Sequence, residues 1–242
     1  MSKFVTFSFD DGIEQDTRFV EMLNKYGFKA TFNINTGIQT RANSWISEGV
    51  EIHRMNIKGL KDLYRGHEVA VHTLTHPFLE KLDEETIYNE IYYDKKNIEE
   101  WFGEEVVGMA YPYGTYDDRV IKIARDLGIK YARTAGTSMK FSIPENLMKY
   151  SGTCHFSNLE IFRLIDDFEA LPDNSDGGEN GKDYENRKDN ENRKDGERQI
   201  LYIWGHTYEF DVLKKWDFLT ELFERLKTVK ADFVTNREAF GL

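Results

Sequence analysis

The sequence predicts an α/β barrel, and three observations point to it. Short β-rich runs alternate with amphipathic helical stretches, the pattern of repeated strand–helix units around a parallel sheet. Eight such runs occur, which suits a closed sheet better than an open one. The residues capable of chemistry gather where these runs end, and the C-terminal strand ends are where α/β barrels carry their sites. A chain of 242 residues can bury a sizeable core and has room for one large domain or two small ones; the continued strand pattern reads as one domain over residues 1–242.

The strand candidates are Phe4–Phe9, Ala30–Asn35, Glu68–His72, Val106–Tyr111, Lys130–Thr134, Leu147–Thr153, Ile200–Trp204 and Asp232–Val234. Helical periodicity fits Asp16–Tyr26, Asp83–Phe102, Asp117–Leu127, Leu159–Leu171 and Leu213–Val229. In the longest helix Ile87, Ile91, Tyr92, Ile98 and Phe102 recur at roughly helical spacing, and Asp83 with Thr86 suits its first turn. Gly27 and Gly128 fall just past helix ends, where a left-handed residue often stops the helix. One stretch breaks the pattern: Pro172 to Arg198 is almost free of apolar residues and nearly repeats Glu185–Asp189 at Glu191–Asp195. Such a segment buries too little surface to offset its ordering entropy. It reads as a polar insertion loop at about 172–198, because the strand pattern resumes at Ile200.

Composition narrows the function. A formal net charge of −11 argues against nucleic-acid binding, which needs clustered Lys and Arg. No apolar run reaches the roughly 18–20 residues of a membrane span. Cys154 is the only cysteine, so no internal disulfide can form. Met1-Ser2-Lys3 runs into an apolar stretch too short for a signal peptide. A cytoplasmic protein is the default expectation, unless an export signal precedes this sequence.

Four segments carry the chemistry. Phe7-Ser8-Phe9-Asp10-Asp11-Gly12 places two adjacent carboxylates at a strand end. Both can reach one pocket only where the strand breaks, which Gly12 permits, and side by side they call for a cation. Asp-Asp-Gly is also ordinary turn chemistry. His72-Thr73-Leu74-Thr75-His76 follows the third strand, and in a helical turn its i, i+4 imidazoles would share one side and suit one metal ion. With a carboxylate from the first strand as third ligand, the site would be mixed N/O with open positions. Tyr111-Pro112-Tyr113-Gly114 closes the fourth strand, and Ile203-Trp204-Gly205-His206 ends the seventh. A turn and a surface histidine are the plainer readings of these last two.

Together, the four segments resemble the polysaccharide deacetylase family (the NodB-homology domain, carbohydrate esterase family four). The resemblance runs over about residues 3 to 240 and implies a distorted (β/α) barrel of about seven to eight strands, hence a single catalytic domain. It implies one divalent metal ion, usually zinc, held by Asp11, His72 and His76. Asp10 would be the general base, His206 the general acid, and the backbone N–H of Tyr113 the oxyanion donor. The implied partner is an acetylated carbohydrate or sugar conjugate. Hydrolysis of a formamide, a cyclic imide or an allantoin-like compound belongs to the same fold, and a non-catalytic carbohydrate-binding relative is the rival from another class.

Two positions depart from the family pattern. Ala110 stands where the family has the Arg that orients the base. Arg133, near the end of the next strand, is the candidate substitute, with a place on the barrel exterior as its alternative. The family's fourth motif, an Asp with Trp, lacks a counterpart between Tyr131 and Gly196, which leaves the partner of His206 unassigned. Asp166 and Asp167 lie there, but helix polarity explains them equally well. His67 reads as a loop or strand-start residue, His53 as surface, and His155 as a residue that could reach the rim. Cys154 reads as a small buried hydrophobe. Trp204 and Tyr208 flank His206 and either stack on a sugar ring or pack internally.

Overall fold

The computed structural model describes residues 2–172 and 198–242. In chain order the regular elements are β1 (Lys3–Asp10), α1 (Asp16–Tyr26), β2 (Ala30–Ile34), β3 (Trp45–Ser47), β4 (Val50–Ile52), α2 (Ile57–Leu63), β5 (Glu68–Val71), α3 (Glu84–Phe102) and β6 (Gly108–Ala110). There follow α4 (Asp118–Asp126), β7 (Tyr131–Thr137), β8 (Tyr150–Gly152), β9 (Cys154–His155) and α5 (Ile161–Glu169). The last elements are β10 (Gln199–Gly205), α6 (Tyr208–Val212), α7 (Trp216–Lys227), β11 (Asp232–Phe233) and α8 (Asn236–Phe240). The polar insertion expected at about 172–198 lies, apart from its ends, outside the described residues.

The main sheet runs β8-β7-β6-β5-β2-β1-β10-β9, all parallel, with β11 added beside β1. Its two ends, β8 and β9, are one stretch of chain divided at Thr153. The Thr153 hydroxyl donates to the Ile200 carbonyl and accepts the Tyr202 N–H of β10. The sheet therefore curls into a distorted barrel whose seam is this single segment. The expected strand Leu147–Thr153 is shorter than predicted, because Leu147–Lys149 form a 3-10 turn held by the Asn146 side chain on Met148 N–H. The β3–β4 hairpin, α2, β9, α6 and α8 carried too little periodicity to be read in advance.

The alternation in β1 explains how the core positions the site. Val5, Phe7 and Phe9 face the helices and join an aromatic cluster with Phe19, Phe28 and Phe223. Each buried Phe side chain contributes about 1.5–3 kcal/mol. Thr6, Ser8 and Asp10 point the other way, into the barrel. There Thr6 donates to Asn236, Ser8 accepts from Asn33, and Asp10 accepts from Asn33. A polar column thus climbs the axis and ends at Asp10. The helices stop as the glycines predict, with Gly27 and Gly128 at φ 72° and 86°. Asp83 caps α3 by accepting the Thr86 N–H at 2.8 Å.

Candidate active site

At the C-terminal end of the barrel a cavity of about 440 Å³ brings together Asp10, Asp11, His72, His76, Arg133 and His206. A larger cavity, about 560 Å³, opens at the opposite end around His67 and Glu68, yet none of the six residues named above lines it. The donors, rather than the volume, locate the candidate chemistry.

Asp10 and Asp11 reach one pocket because the chain turns sharply after β1. Asp11 adopts φ 88° and Gly12 φ 65°. A Cβ on Gly12 would meet the Gln39 amide at 2.5 Å, so the close approach as well as the angle requires glycine. The Asp11 carbonyl accepts from Gln39 and Arg54, each at 2.7 Å, and Arg54 also pairs with its carboxylate at 3.2 Å. Burial alone would raise the pKa of Asp11, but His206, Arg54 and the two other imidazoles hold it below the ordinary value.

The His72–His76 segment is not the helical turn expected of it. Thr73 and His76 have φ 68° and 62°, so the loop reverses twice. Buried carboxylates on α3 pin it: Glu90 accepts from Thr75 N–H and Oγ1, and Asp94 accepts the His72 N–H together with the Thr36 N–H from the end of β2. The outcome still converges the rings, with the two Nε2 atoms 3.1 Å apart. His72 Nδ1 lies 2.8 Å from the Ala110 carbonyl. That nitrogen is the donor, so the Nε2 lone pair faces the pocket. Burial lowers His72, and burial with the neighbouring His72 ring lowers His76 to about 4. Both rings are therefore neutral near pH 7. Two neutral imidazoles and an ionised carboxylate, with donor atoms all within 4.8 Å of one another, form a donor set that fits zinc or a similar divalent ion. The carbonyl behind His72 is the outer-shell partner such ligands use.

Arg133 settles the vacancy at Ala110. β6 and β7 pair in parallel with Ala110 level with Arg133, so the cation enters from the adjacent strand at the same height. The Arg133 Nη2 bonds both oxygens of Asp10, at 2.6 Å to Oδ1, and its guanidinium stacks on Trp204 at 4.8 Å. Its side chain is buried, and the barrel-exterior alternative is excluded. Burial pushes the Asp10 pKa up, but Arg133, His72 and His206 outweigh it and hold the carboxyl well below the usual range. Asp10 Oδ2 lies 3.8 Å from both His72 Nε2 and His206 Nε2.

His206 closes the other side. Burial would lower its pKa, yet Glu209, Asp10 and Asp11 carry it up to about 9. Glu209 accepts the His206 backbone N–H at 3.0 Å and lies 3.4 Å from Nδ1. Asp166 and Asp167 are elsewhere, paired with Arg225 and Arg163 on the outer helices. His155 is not among the residues that line the cavity; it lies behind His206, with Nε2 3.0 Å from Glu209. Cys154 is fully buried and its thiol pushed up to about 12, as suits an inert hydrophobe. His53 is half-buried rather than on the surface, against Ser44 and Glu51. His67 sits at the start of β5 and accepts the Ala30 N–H.

Tyr113 sits on the lip at φ 57°, with its ring stacked on Phe78 and edge-on to His76. Gly114 beside it packs so closely on β7 that a Cβ would come within 2.3 Å of the Ala135 nitrogen. On the far lip Trp45, from the β3–β4 hairpin, meets Tyr208 edge-on and stacks on Arg54. Trp204 and Tyr208 both line the cavity. Sequence reading missed Trp45, Arg54 and Glu209. Glu209 alone had a local signal, standing three residues after His206 at the start of a helix.

A sequence model of a family described as polysaccharide deacetylase matches residues 1–132. A peptidoglycan-N-acetylglucosamine deacetylase of Bacillus cereus is 27% identical over 128 residues, which cover 52% of this chain and 54% of the relative. Chitin deacetylase 2 of Cryptococcus neoformans is 38% identical over 64 residues, 26% of this chain and 14% of that one. The match thus spans about half the length of the Bacillus relative and less of the fungal one. Among solved structures, the Xyl-CE4 domain of a multidomain xylanase from the hindgut metagenome of Trinervitermes trinervoides superposes with a TM-score of 0.58 at 19% identity, over 99% of this chain and 90% of that one. A CE4-family pseudoenzyme from Bacillus anthracis gives 0.56 at 18% identity, over 98% and 65%. At these identities the structures share the fold.

Proposed function

The chain belongs to the polysaccharide deacetylase family, and from that premise we propose that it is a metal-dependent hydrolase removing an acetyl group from an N-acetylated, or O-acetylated, sugar. The observation that carries this reading is the convergence of Asp11, His72 and His76 with Asp10 and His206 in one cavity. When bound at those three ligands, a divalent ion supplies Lewis acidity toward the acetyl carbonyl and lowers the pKa of water at its open positions.

The chain's own residues account for the proton transfers. Asp10, kept ionised by Arg133, takes the proton of the attacking water on Oδ2, the oxygen that faces both His72 and His206. Water adds to the carbonyl carbon, and the backbone N–H of Tyr113 donates to the oxygen as its charge grows. The bond to the leaving nitrogen or oxygen breaks as His206 Nε2 gives it a proton. A pKa near 9 supports this role, since His206 then enters the reaction as the imidazolium. Arg133 against Asp10 also favours a hydrolase over a carbohydrate-binding relative, because binding sugar gives no reason to replace that cation.

The test is acetate release from a panel of N-acetylhexosamines and their oligomers, with bound metal measured on the same sample. Acetate from at least one member is expected. Metal-loaded protein that releases none would overturn the reading. Turnover of a formamide, cyclic imide or allantoin-like compound instead would move the assignment to that chemistry, and sugar binding without turnover would move it to a non-catalytic relative.

A further inference from the structure

One carboxylate oxygen outside the cavity serves both His155 and His206. Glu209 Oε2 accepts the His206 backbone N–H at 3.0 Å, lies 3.4 Å from His206 Nδ1, and lies 3.0 Å from His155 Nε2. The tautomer of His155 can be read from its other side. Its Nδ1 accepts the Ser157 backbone N–H, so its ring proton is on Nε2 and is donated to Glu209. On His206 the two nitrogens divide the work: Nδ1 faces Glu209, and Nε2 faces Asp10 across the cavity at 3.8 Å. The carboxylate is part-buried and held well below its ordinary pKa, at about 2, so it is charged at any pH of interest. The three residues come from β9, the end of β10 and the start of α6, and the pairing of His155 with Trp204 across β9 and β10 fixes their spacing.

We infer that Glu209 is the positioning residue of His206 and that His155, by donating to the same oxygen, limits the pull of Glu209 and so sets how readily His206 gives up its proton. The inference rests on the reading of His206 as the acid of the proposed reaction. A carboxylate behind an imidazolium aims the ring but also stabilises its proton. A second donor on that carboxylate disperses its charge and returns part of the acidity. The charged and titratable groups facing His206 are Asp10 and Asp11 at the end of β1 and Glu209 and Tyr208 on α6. His155 on β9 acts only through Glu209.

The test uses the metal-loaded protein, with the His206 titration followed by NMR of labelled histidine and kcat followed against pH. Glu209→Gln is expected to lower the His206 pKa and the basic limb by about 1–3 units, the usual effect of losing a neighbouring opposite charge. Turnover should fall on the order of 10²-fold, with Glu209→Asp recovering part of both. His155→Phe should move the same limb the opposite way, upward. His155→Gln, which keeps an N–H toward Glu209, should leave it near the starting value. Limbs that move in one direction for both Glu209→Gln and His155→Phe, or that do not move at all, would overturn the inference. Opposed shifts in the NMR titration without acetate release from any substrate would uphold it and sink the deacetylase reading instead, so the two failures are distinguishable.

Discussion

The rim of this barrel is assembled in two ways. From Asp10 to His76 the candidate residues stand in compact motifs held from behind: His72 by the Ala110 carbonyl and Asp94, the loop to His76 by Glu90 on Thr75, Asp11 by Gln39 and Arg54. From Arg133 to Glu209 the site is completed by single residues on β7, β10 and α6, far apart in sequence. The family model matches the first region and ends one residue before Arg133. The difference fits the roles proposed for the two regions. Ligands must place donor atoms about 2.0–2.2 Å from one ion, which leaves little freedom in spacing. A charge that steadies a carboxylate or an imidazole can arrive from any neighbouring strand end, and here it arrives from the strand beside the family position.

The sharpest way to break this comparison is at the ligands. His72→Ala and His76→Ala should each lose bound metal and reduce turnover below detection while the chain stays folded, checked by metal analysis, activity and circular dichroism. A His76→Ala protein with stoichiometric metal and full activity would remove the distinction between the two regions. Next in size are the groups proposed to move protons. Asp10→Asn and His206→Ala should keep the metal and lose rate by on the order of 10²–10⁴ each. Metal loss in Asp10→Asn would mean that the two aspartates have exchanged roles.

Arg133→Met tests the second region directly. Arg133 lowers the pKa of Asp10, so removing it makes the carboxylate easier to protonate, and the acidic limb of the pH–rate profile should move upward by about 1–3 units. Turnover at neutral pH should fall about tenfold as Asp10 loses the guanidinium nitrogen that bonds both its oxygens. Breaking a buried pair typically costs about 3–5 kcal/mol, so the melting temperature should drop as well. An unchanged limb with a lowered melting temperature would reduce Arg133 to a structural role. The smallest effect is expected from the polar stretch: replacing residues 174–197 with a short Gly/Ser linker should leave melting temperature and turnover within error. A large loss of substrate affinity would make that stretch a third contributor to the site.

The sequence by itself determined the alternation of strands and helices, the polar and apolar faces of β1, the capping residues and the two motifs that carry the candidate ligands. Each of these is fixed by neighbours a few positions away, whereas the pairing of β1, β2 and β5 is what brings Asp11 to His72 and His76. It did not determine the backbone of the His72–His76 loop, because the two positive-φ residues are enforced by Asp94 and Glu90 on a helix that comes later in the chain. Nor did it determine Arg54, Trp45 or the final place of Arg133, whose bond to Asp10 spans 123 residues. Only the register of β6 against β7 and the curl of the sheet bring that guanidinium to the barrel axis. A side chain's partner across a barrel depends on strand order and height, and neither leaves a periodic trace in the residues around it.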